Sequence, residues 1–233
     1  MNGFIDFHSH ILPGMDDGSE SVEMSIEMLK REAEQGIRQV IATPHFYASE
    51  DHPQKFLERR MESEARLREA MMRYGDLPQL SVGAEVRFFS GISCSDWLSA
   101  LTIREKKCIL IEMPDVSWTE KNYRELEKIY ENCGIIPVVA HVDRYIGPFR
   151  NPGIPARLAE LPVLVQANAS FFLNPRTKGI AMKLLRKGQI HLVGSDCHNL
   201  TDRAPNLGPA LEQIRKRLGT DAISQIQEYQ CMI

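Results

Sequence analysis

Short apolar runs alternate with amphipathic stretches along most of the chain. The runs cover residues 4–7, 40–43, 80–83, 108–111, 135–140, 163–166 and 190–194, each of strand length and rich in Ile, Val or Leu. Continuous apolar runs, rather than alternating ones, are what strands buried on both faces require. Between the runs the apolar period lengthens to that of a helix. Val22, Ile26, Leu29 and Ala33 fall on one face, with Gly36 as a stop. Residues 53–73 predict a longer helix with Leu57, Met61 and Ala65 aligned, and residues 121–132, 155–161, 176–187 and 204–218 predict four more. Residues 88–107 read as helix plus loop. Strands alternating with helices predict right-handed βα units and a mostly parallel sheet. Seven or eight such units can close into a barrel, but an open doubly wound sheet has the same pattern.

Composition then narrows the picture. The 233 residues are expected to form one domain, 1–233, and at 43% hydrophobic and 25% charged they can bury a sizeable core. A net charge of −3 gives no global positive field to recruit nucleic acid or anionic membrane. No apolar run approaches the roughly 18–20 residues that cross a bilayer, so no membrane insertion is expected. The opening Met-Asn-Gly-Phe-Ile-Asp-Phe-His has neither a basic segment nor a long apolar one, and is expected to be mature as it stands. The cysteines, Cys94, Cys108, Cys133, Cys197 and Cys231, are odd in number and form no CxxC pair. Free thiols in a reducing cytoplasm are the simplest reading.

The residues able to do chemistry follow the apolar runs. His8 and His10 follow the first, His45 the second, Glu85 the third, Glu112 the fourth, His141 the fifth, Asn168 the sixth, and Asp196 with His198 the seventh. In a parallel α/β fold such positions gather at the carboxyl edge of the strands. Of the histidines, only His52 and His191 lie elsewhere. One His or Glu after a strand is ordinarily a cap or a surface residue; the coincidence at successive strand ends is what points to a site. In His8-Ser9-His10 the imidazoles are two apart, so on a strand both face one side and can approach one ion at about 2.0–2.1 Å. Asp196-Cys197-His198 repeats the spacing with a carboxylate. Mixed imidazole and carboxylate ligands suit zinc, manganese or iron better than calcium or magnesium, and do not choose among the first three.

These residues sit in blocks that resemble the polymerase-and-histidinol-phosphatase (PHP) superfamily. Residues 4–19, Phe-Ile-Asp-Phe-His-Ser-His-Ile-Leu-Pro-Gly-Met-Asp-Asp-Gly-Ser, are most similar to its bacterial tyrosine-phosphatase branch, encoded with capsule and exopolysaccharide genes. The resemblance continues through Ala42-Thr43-Pro44-His45, Gly83-Ala84-Glu85, Ile111-Glu112, Ala140-His141-Val142-Asp143-Arg144-Tyr145, Gln166-Ala167-Asn168-Ala169-Ser170 and Gly194-Ser195-Asp196-Cys197-His198-Asn199. It implies an α/β fold, a distorted (β/α)7 barrel of PHP type, with its metals at the C-terminal ends of the strands. By the same resemblance, one ion takes His8, His10, Glu85 and Asp196. A second shares Glu85 and adds Glu112 and His141. A third takes Asp17, His45 and His198, with Asp16 as the rival to Asp17. Arg144 and Arg203 match positions that hold substrate phosphate. Asp143 stands where Glu is expected, and Cys197 where an apolar residue is expected.

The implied activity is metal-dependent hydrolysis of phosphotyrosine in proteins, with two or three divalent ions, manganese ahead of iron or zinc. The implied partner is the tyrosine-rich tail of a bacterial kinase that regulates polysaccharide export. Oligomeric state is left open. The alternatives are a phosphatase of a small phosphomonoester such as histidinol phosphate, and a PHP module acting on nucleic acid. A thiol mechanism also competes, because Cys197 and Arg203 have the Cys-x5-Arg spacing of thiol phosphatases. That loop has no glycine to turn its N–H groups toward phosphate. Asp196 and Asp202 would repel phosphate and raise the thiol pKa. Cys197 is instead expected to be a small buried hydrophobe.

Overall fold

The computed structural model describes residues 3–103, 106–146, 151 and 153–232. The strands and helices are, in order, β1 Phe4–Ser9, α1 Val22–Glu34, β2 Ile37–Ala42, β3 His45–Phe46, α2 Pro53–Met71, β4 Gln79–Val82, β5 Glu85–Arg87, β6 Cys108–Glu112, α3 Glu120–Cys133, β7 Ile136–Val139, α4 Ile154–Leu158, β8 Leu164–Asn168, α5 Ala169–Leu173, α6 Lys178–Arg186, β9 Leu192–Gly194, α7 Leu207–Leu218 and α8 Thr220–Met232. Each expected run carries a strand. Residues 88–107 hold two short 3₁₀ turns, Ile92–Cys94 and Leu98–Leu101, in place of a helix; residues 104 and 105 lie outside the described residues.

All the strand pairs are parallel, in the orders β1-β2-β4 and β3-β5-β6-β7-β8-β9. Thr43-Pro44 separates β2 from β3, and Gly83-Ala84 separates β4 from β5, so each pair forms one broken stave. The Gly83 N–H donates to Ala42 O at 2.8 Å and the Glu85 N–H to Pro44 O at 3.0 Å, carrying the pairing across both breaks. Beyond β9, the Asp196 N–H donates to His8 O at 2.8 Å and the His10 N–H to Cys197 O at 2.9 Å. These bonds close the staves into a distorted (β/α)7 barrel. Gly194 permits the closure, since a Cβ there would lie 2.6 Å from His8 Cβ and 2.8 Å from His8 N.

The barrel interior is filled by Phe7, Ile41, Leu110, Val138, Leu164 and Leu192, contributed by six different strands. A larger apolar cluster lies between staves and helices and includes Met28, Leu29, Phe46, Phe56, Val86, Ile129 and Phe172. The sequence misplaced one helical face. In α2, Met61 is 62% exposed and Ala65 is exposed, whereas Phe56, Arg60, Ser63, Glu64 and Leu67 are buried. The helix is rolled because Arg60 donates to Gly83 O at 2.8 Å and to Ala100 O at 3.0 Å, while the Ser63 hydroxyl donates to Pro13 O at 2.8 Å. Buried backbone carbonyls need donors, and an apolar periodicity does not register them. No helix among the described residues is long and apolar enough to cross a membrane.

Candidate metal centre

Nine residues from the strand ends and the loop after β1 approach one another at the carboxyl end of the barrel. His8 and His10 present their Nε2 atoms 3.1 Å apart. Glu85 Oε2 lies 3.1 Å from His8 Nε2, 3.2 Å from His10 Nε2 and 3.1 Å from His45 Nδ1, while its Oε1 lies 2.7 Å from His141 Nε2. Asp196 Oδ1 is 3.5 Å from both His8 Nε2 and His10 Nε2. Glu112 Oε1 is 3.7 Å from His141 Nε2. Asp17 Oδ1 lies 3.5 Å from His45 Nε2 and 3.4 Å from His198 Nε2. His52 and His191 lie apart: His52 caps α2, and the His191 ring packs on Tyr229.

Fixed hydrogen bonds set which imidazole nitrogen faces inward. His8 Nδ1 is 3.2 Å from Gln166 Oε1, an oxygen that also accepts from the His141 N–H at 2.7 Å. His10 Nδ1 is 2.7 Å from Asp16 Oδ2, and His198 Nδ1 is 3.0 Å from the Asp196 carbonyl. Each of these oxygens is an acceptor, so each Nδ1 carries a proton and Nε2 is the nitrogen left to face a cation. His141 Nδ1 is buried without a hydrogen-bond partner, and His45 Nδ1, Glu112 Oε2 and His198 Nε2 are buried with ion-pair neighbours but no well-directed hydrogen bond. Asp16 also accepts from the His45 N–H at 2.9 Å and the Gly18 N–H at 2.9 Å. It therefore braces two histidines, whereas Asp17 faces His45 and His198.

The carboxylates and the imidazoles that face them shift together. Burial alone would raise Glu85 and Asp196, yet His8 and His141 hold Glu85, and His8 and His10 hold Asp196, well below the usual carboxylate range. Burial would lower His10, yet Asp16, Asp196 and Glu85 push it well above the usual histidine value. Burial and the adjacent His10 bring His198 down to about 4. A field that favours protons on His8 and His10 also favours a metal cation beside them. Donor atoms of His10, Asp17, His45 and His198 lie within 4.8 Å of one another, as do those of His8, His10 and Glu85, and those of His45, Glu85 and Glu112. This donor set fits divalent cations. Among the described residues, the only non-glycine residues with positive φ are His141 at 31° and Asp196 at 54°, both on this centre. Such backbone is costly for residues with a Cβ and concentrates at functional sites.

Arginines rim the cluster. Arg144 donates to Asp196 Oδ2 at 2.8 Å, Arg203 to Asp196 Oδ1 at 2.9 Å, and Arg87 lies 3.0 Å from Glu112 Oε2. Arg144 and Arg203 are about one-third exposed, so they border both the carboxylates and solvent. Arg87 carries no sequence signal of its own beyond lying two residues after Glu85. Asn168 donates to Asp196 Oδ2 at 2.8 Å, and Gln166 donates to Asn168 Oδ1 at 3.1 Å. Asp143 accepts from the Asn168 N–H at 2.9 Å. Cys197 is fully buried in the core. Burial, then Glu32 and Asp6, push its thiol well above the usual range, which opposes a nucleophilic role.

A family model for capsular polysaccharide synthesis, CpsB/CapC, matches residues 4–232. The tyrosine-protein phosphatase YwqE of Bacillus subtilis (strain 168) is 30% identical over 227 residues, covering 93% of this chain and 86% of YwqE. The tyrosine-protein phosphatase CpsB of Streptococcus pneumoniae is 27% identical over 236 residues, covering 95% of this chain and 94% of CpsB. A solved structure from the pair YwqE of Bacillus subtilis and CpsB of Streptococcus pneumoniae, described as unique metal-dependent tyrosine phosphatases, superposes with a TM-score of 0.85 at 27% identity. It covers 97% of this chain and 92% of the other.

Proposed function

Because the chain belongs to the capsular polysaccharide synthesis CpsB/CapC family, we propose that it is a metal-dependent phosphatase acting on phosphotyrosine in proteins. One observation carries the reading beyond family membership. His8, His10 and His198 have their Nδ1 atoms committed to Gln166, Asp16 and a backbone carbonyl, which turns Nε2 of His8 and His10 onto buried Glu85 and Nε2 of His198 onto exposed Asp17. A tautomer fixed in this way is what imidazole ligands need.

His8, His10, Glu85 and Asp196 would hold one ion; Glu85, Glu112 and His141 a second; Asp17, His45 and His198 a third. Manganese is the expected occupant, with iron or zinc as alternatives. Bound divalent ions supply Lewis acidity toward phosphoryl oxygens and lower the pKa of water into the physiological range. The protein's own part is geometric and electrostatic. Asp16 and Gln166 keep two imidazoles oriented, and Asn168 orients Asp196. Arg144 and Arg203 are the phosphate clamp, since guanidinium matches phosphate in a bidentate fashion and keeps its charge. Both stand on the solvent side of the carboxylates, where a phosphate group would enter. The substrate would be the phosphotyrosine tail of a bacterial kinase that regulates polysaccharide synthesis. The tyrosine-protein phosphatase names of YwqE and CpsB support the phosphotyrosine part of this reading. A cytoplasmic location suits the five cysteines, none of them disulfide-bonded.

The test is turnover by metal-loaded protein of a phosphotyrosine peptide, histidinol phosphate and single-stranded DNA. Preference for the peptide is expected. Preference for histidinol phosphate, or cleavage of DNA, would contradict the reading.

A further inference from the structure

The segment that carries His45 also carries an aromatic residue that the metal centre does not use. Phe46 is fully buried, with its ring 5.0 Å from that of Phe56 and 5.4 Å from that of Trp97. This anchor fixes the segment. Residues on either side of Phe46 in an extended chain face the opposite way, toward a common side. His45 and Tyr47 do so, and their rings stack at 5.3 Å with 21° between planes. Tyr47 is only half-buried.

Tyr47 lines a cavity of about 490 Å³ that opens on the metal centre. Asp17 and His45 of the metal centre line it together with Met15, Tyr47 and Arg59, and Asp16, Glu50 and Asp51 add to its acidic lining. Arg59 is not available to an incoming phosphate, because both its Nη atoms are bonded to Asp51, at 3.2 and 2.5 Å. A phosphomonoester whose phosphate sits at the metal centre must direct its organic group somewhere. Here the acidic walls repel anions, while the face of Tyr47 and the thioether of Met15 favour an aromatic ring.

We propose that Tyr47, assisted by Met15, is a specificity-determining residue that receives the phenyl ring of phosphotyrosine and selects aryl over alkyl phosphate esters. This rests on the phosphotyrosine reading and adds to it the subsite that tells the amino acid apart. Phe at position 47 keeps the ring face; Ala removes it.

Calorimetric titration of manganese-loaded protein with phenylphosphonate and with methylphosphonate separates ring recognition from phosphate recognition. Wild type is expected to bind phenylphosphonate more tightly. Tyr47→Ala should weaken phenylphosphonate by about tenfold and leave methylphosphonate unchanged, the scale of one lost aromatic pair. Tyr47→Phe should keep the wild-type ratio, and metal content should match wild type in both variants. An unchanged ratio in Tyr47→Ala would overturn the assignment. So would a loss of preference in Trp118→Ala alone, which would put the ring against the neighbouring Trp118–Tyr145 wall. Wild type that binds both phosphonates but does not hydrolyse a phosphotyrosine peptide would instead bring down the phosphatase reading and the specificity claim with it.

Discussion

Two sets of buried acids lie within a few residues of each other along β1 and the segment after β9. One is Glu85 and Asp196, facing His8 and His10, with Glu112 facing His141. The other is Asp6, two residues before His8, with Glu32 of α1 and the Cys197 thiol; their donor atoms lie within 4.8 Å of one another. Burial is nearly complete in both, yet the charges respond in opposite directions. Imidazoles hold Glu85 and Asp196 well below the usual range. In the second set, burial raises Asp6, and burial together with Asp6 raises Glu32 well above the usual range. Asp6 accepts from the Ser195 N–H at 2.8 Å, the Ser195 hydroxyl at 2.5 Å and the His8 N–H at 3.3 Å. No donor reaches either oxygen of Glu32. Asp6 therefore has donors that can hold a charge, whereas burial and the neighbouring Asp6 favour the protonated form of Glu32. The partners, not the depth, decide whether a buried carboxylate calls for cations or for a proton.

The same Glu→Gln change at two buried positions should break this comparison open. Glu85→Gln is expected to have the largest effect. It removes charge from an oxygen pair that faces four imidazoles, so bound metal should fall and turnover should drop roughly a hundredfold or more, beyond the 10–100-fold of outer partners. Glu112→Gln should do less, because Glu112 approaches one imidazole. Metal analysis beside turnover checks both; wild-type metal content in Glu85→Gln would count against its proposed bridging role.

Arg144→Ala and Arg203→Ala come next. Each should keep its metal and lower kcat/KM on a phosphotyrosine peptide by about a hundredfold, the cost of one group that stabilises transferring charge. Loss of metal in either variant would show that the guanidinium serves Asp196 rather than substrate.

A smaller effect is expected at the thiol. Cys197→Ser should leave turnover within a few-fold of wild type. Burying an unpaired hydroxyl costs roughly 1–3 kcal/mol; here one oxygen each of Asp6 and Glu32 lies within 4.8 Å of the sulfur, so denaturant unfolding should show the low end. An inactive Cys197→Ser with intact fold and metal would revive the thiol mechanism.

Glu32→Gln should have the least effect of all. A protonated carboxyl and a carboxamide are close in shape, and both are neutral. Stability and turnover should stay near wild type. A loss of activity comparable with that of Glu85→Gln would erase the distinction between the two acid sets.

The parts of this molecule that read well from sequence are those with a local signature. Parallel strands buried on both faces appear as unbroken apolar runs, so residues 108–111 foretell β6 closely. Strand ends in a parallel barrel share one edge, so His8, Glu85 and His141 could be grouped without coordinates. Other features depend on tertiary partners. The buried face of α2 was missed because Arg60 is held by the carbonyls of Gly83 and Ala100, both distant in sequence. Helix α8 left little pattern because only Ile226 and Gln230 along it are buried. Helix α5 has five residues, too few for a period to show. The choice between Asp16 and Asp17 was open because adjacent acids in a turn look alike; only the bonds from Asp16 to His10 and the His45 N–H separate them. Gln166, Arg87 and Tyr47 carry no spacing of their own and acquire meaning from their neighbours.

The central claim is that the histidines and acids at the barrel's carboxyl end hold divalent cations needed for phosphoester hydrolysis. Its most direct test is turnover of a phosphotyrosine peptide before and after metal is stripped by a chelator, then after manganese, iron or zinc is restored, with metal content measured at each stage. Activity should vanish with the metal and return with at least one of the three ions. Full turnover in protein verified to be free of metal would contradict the account.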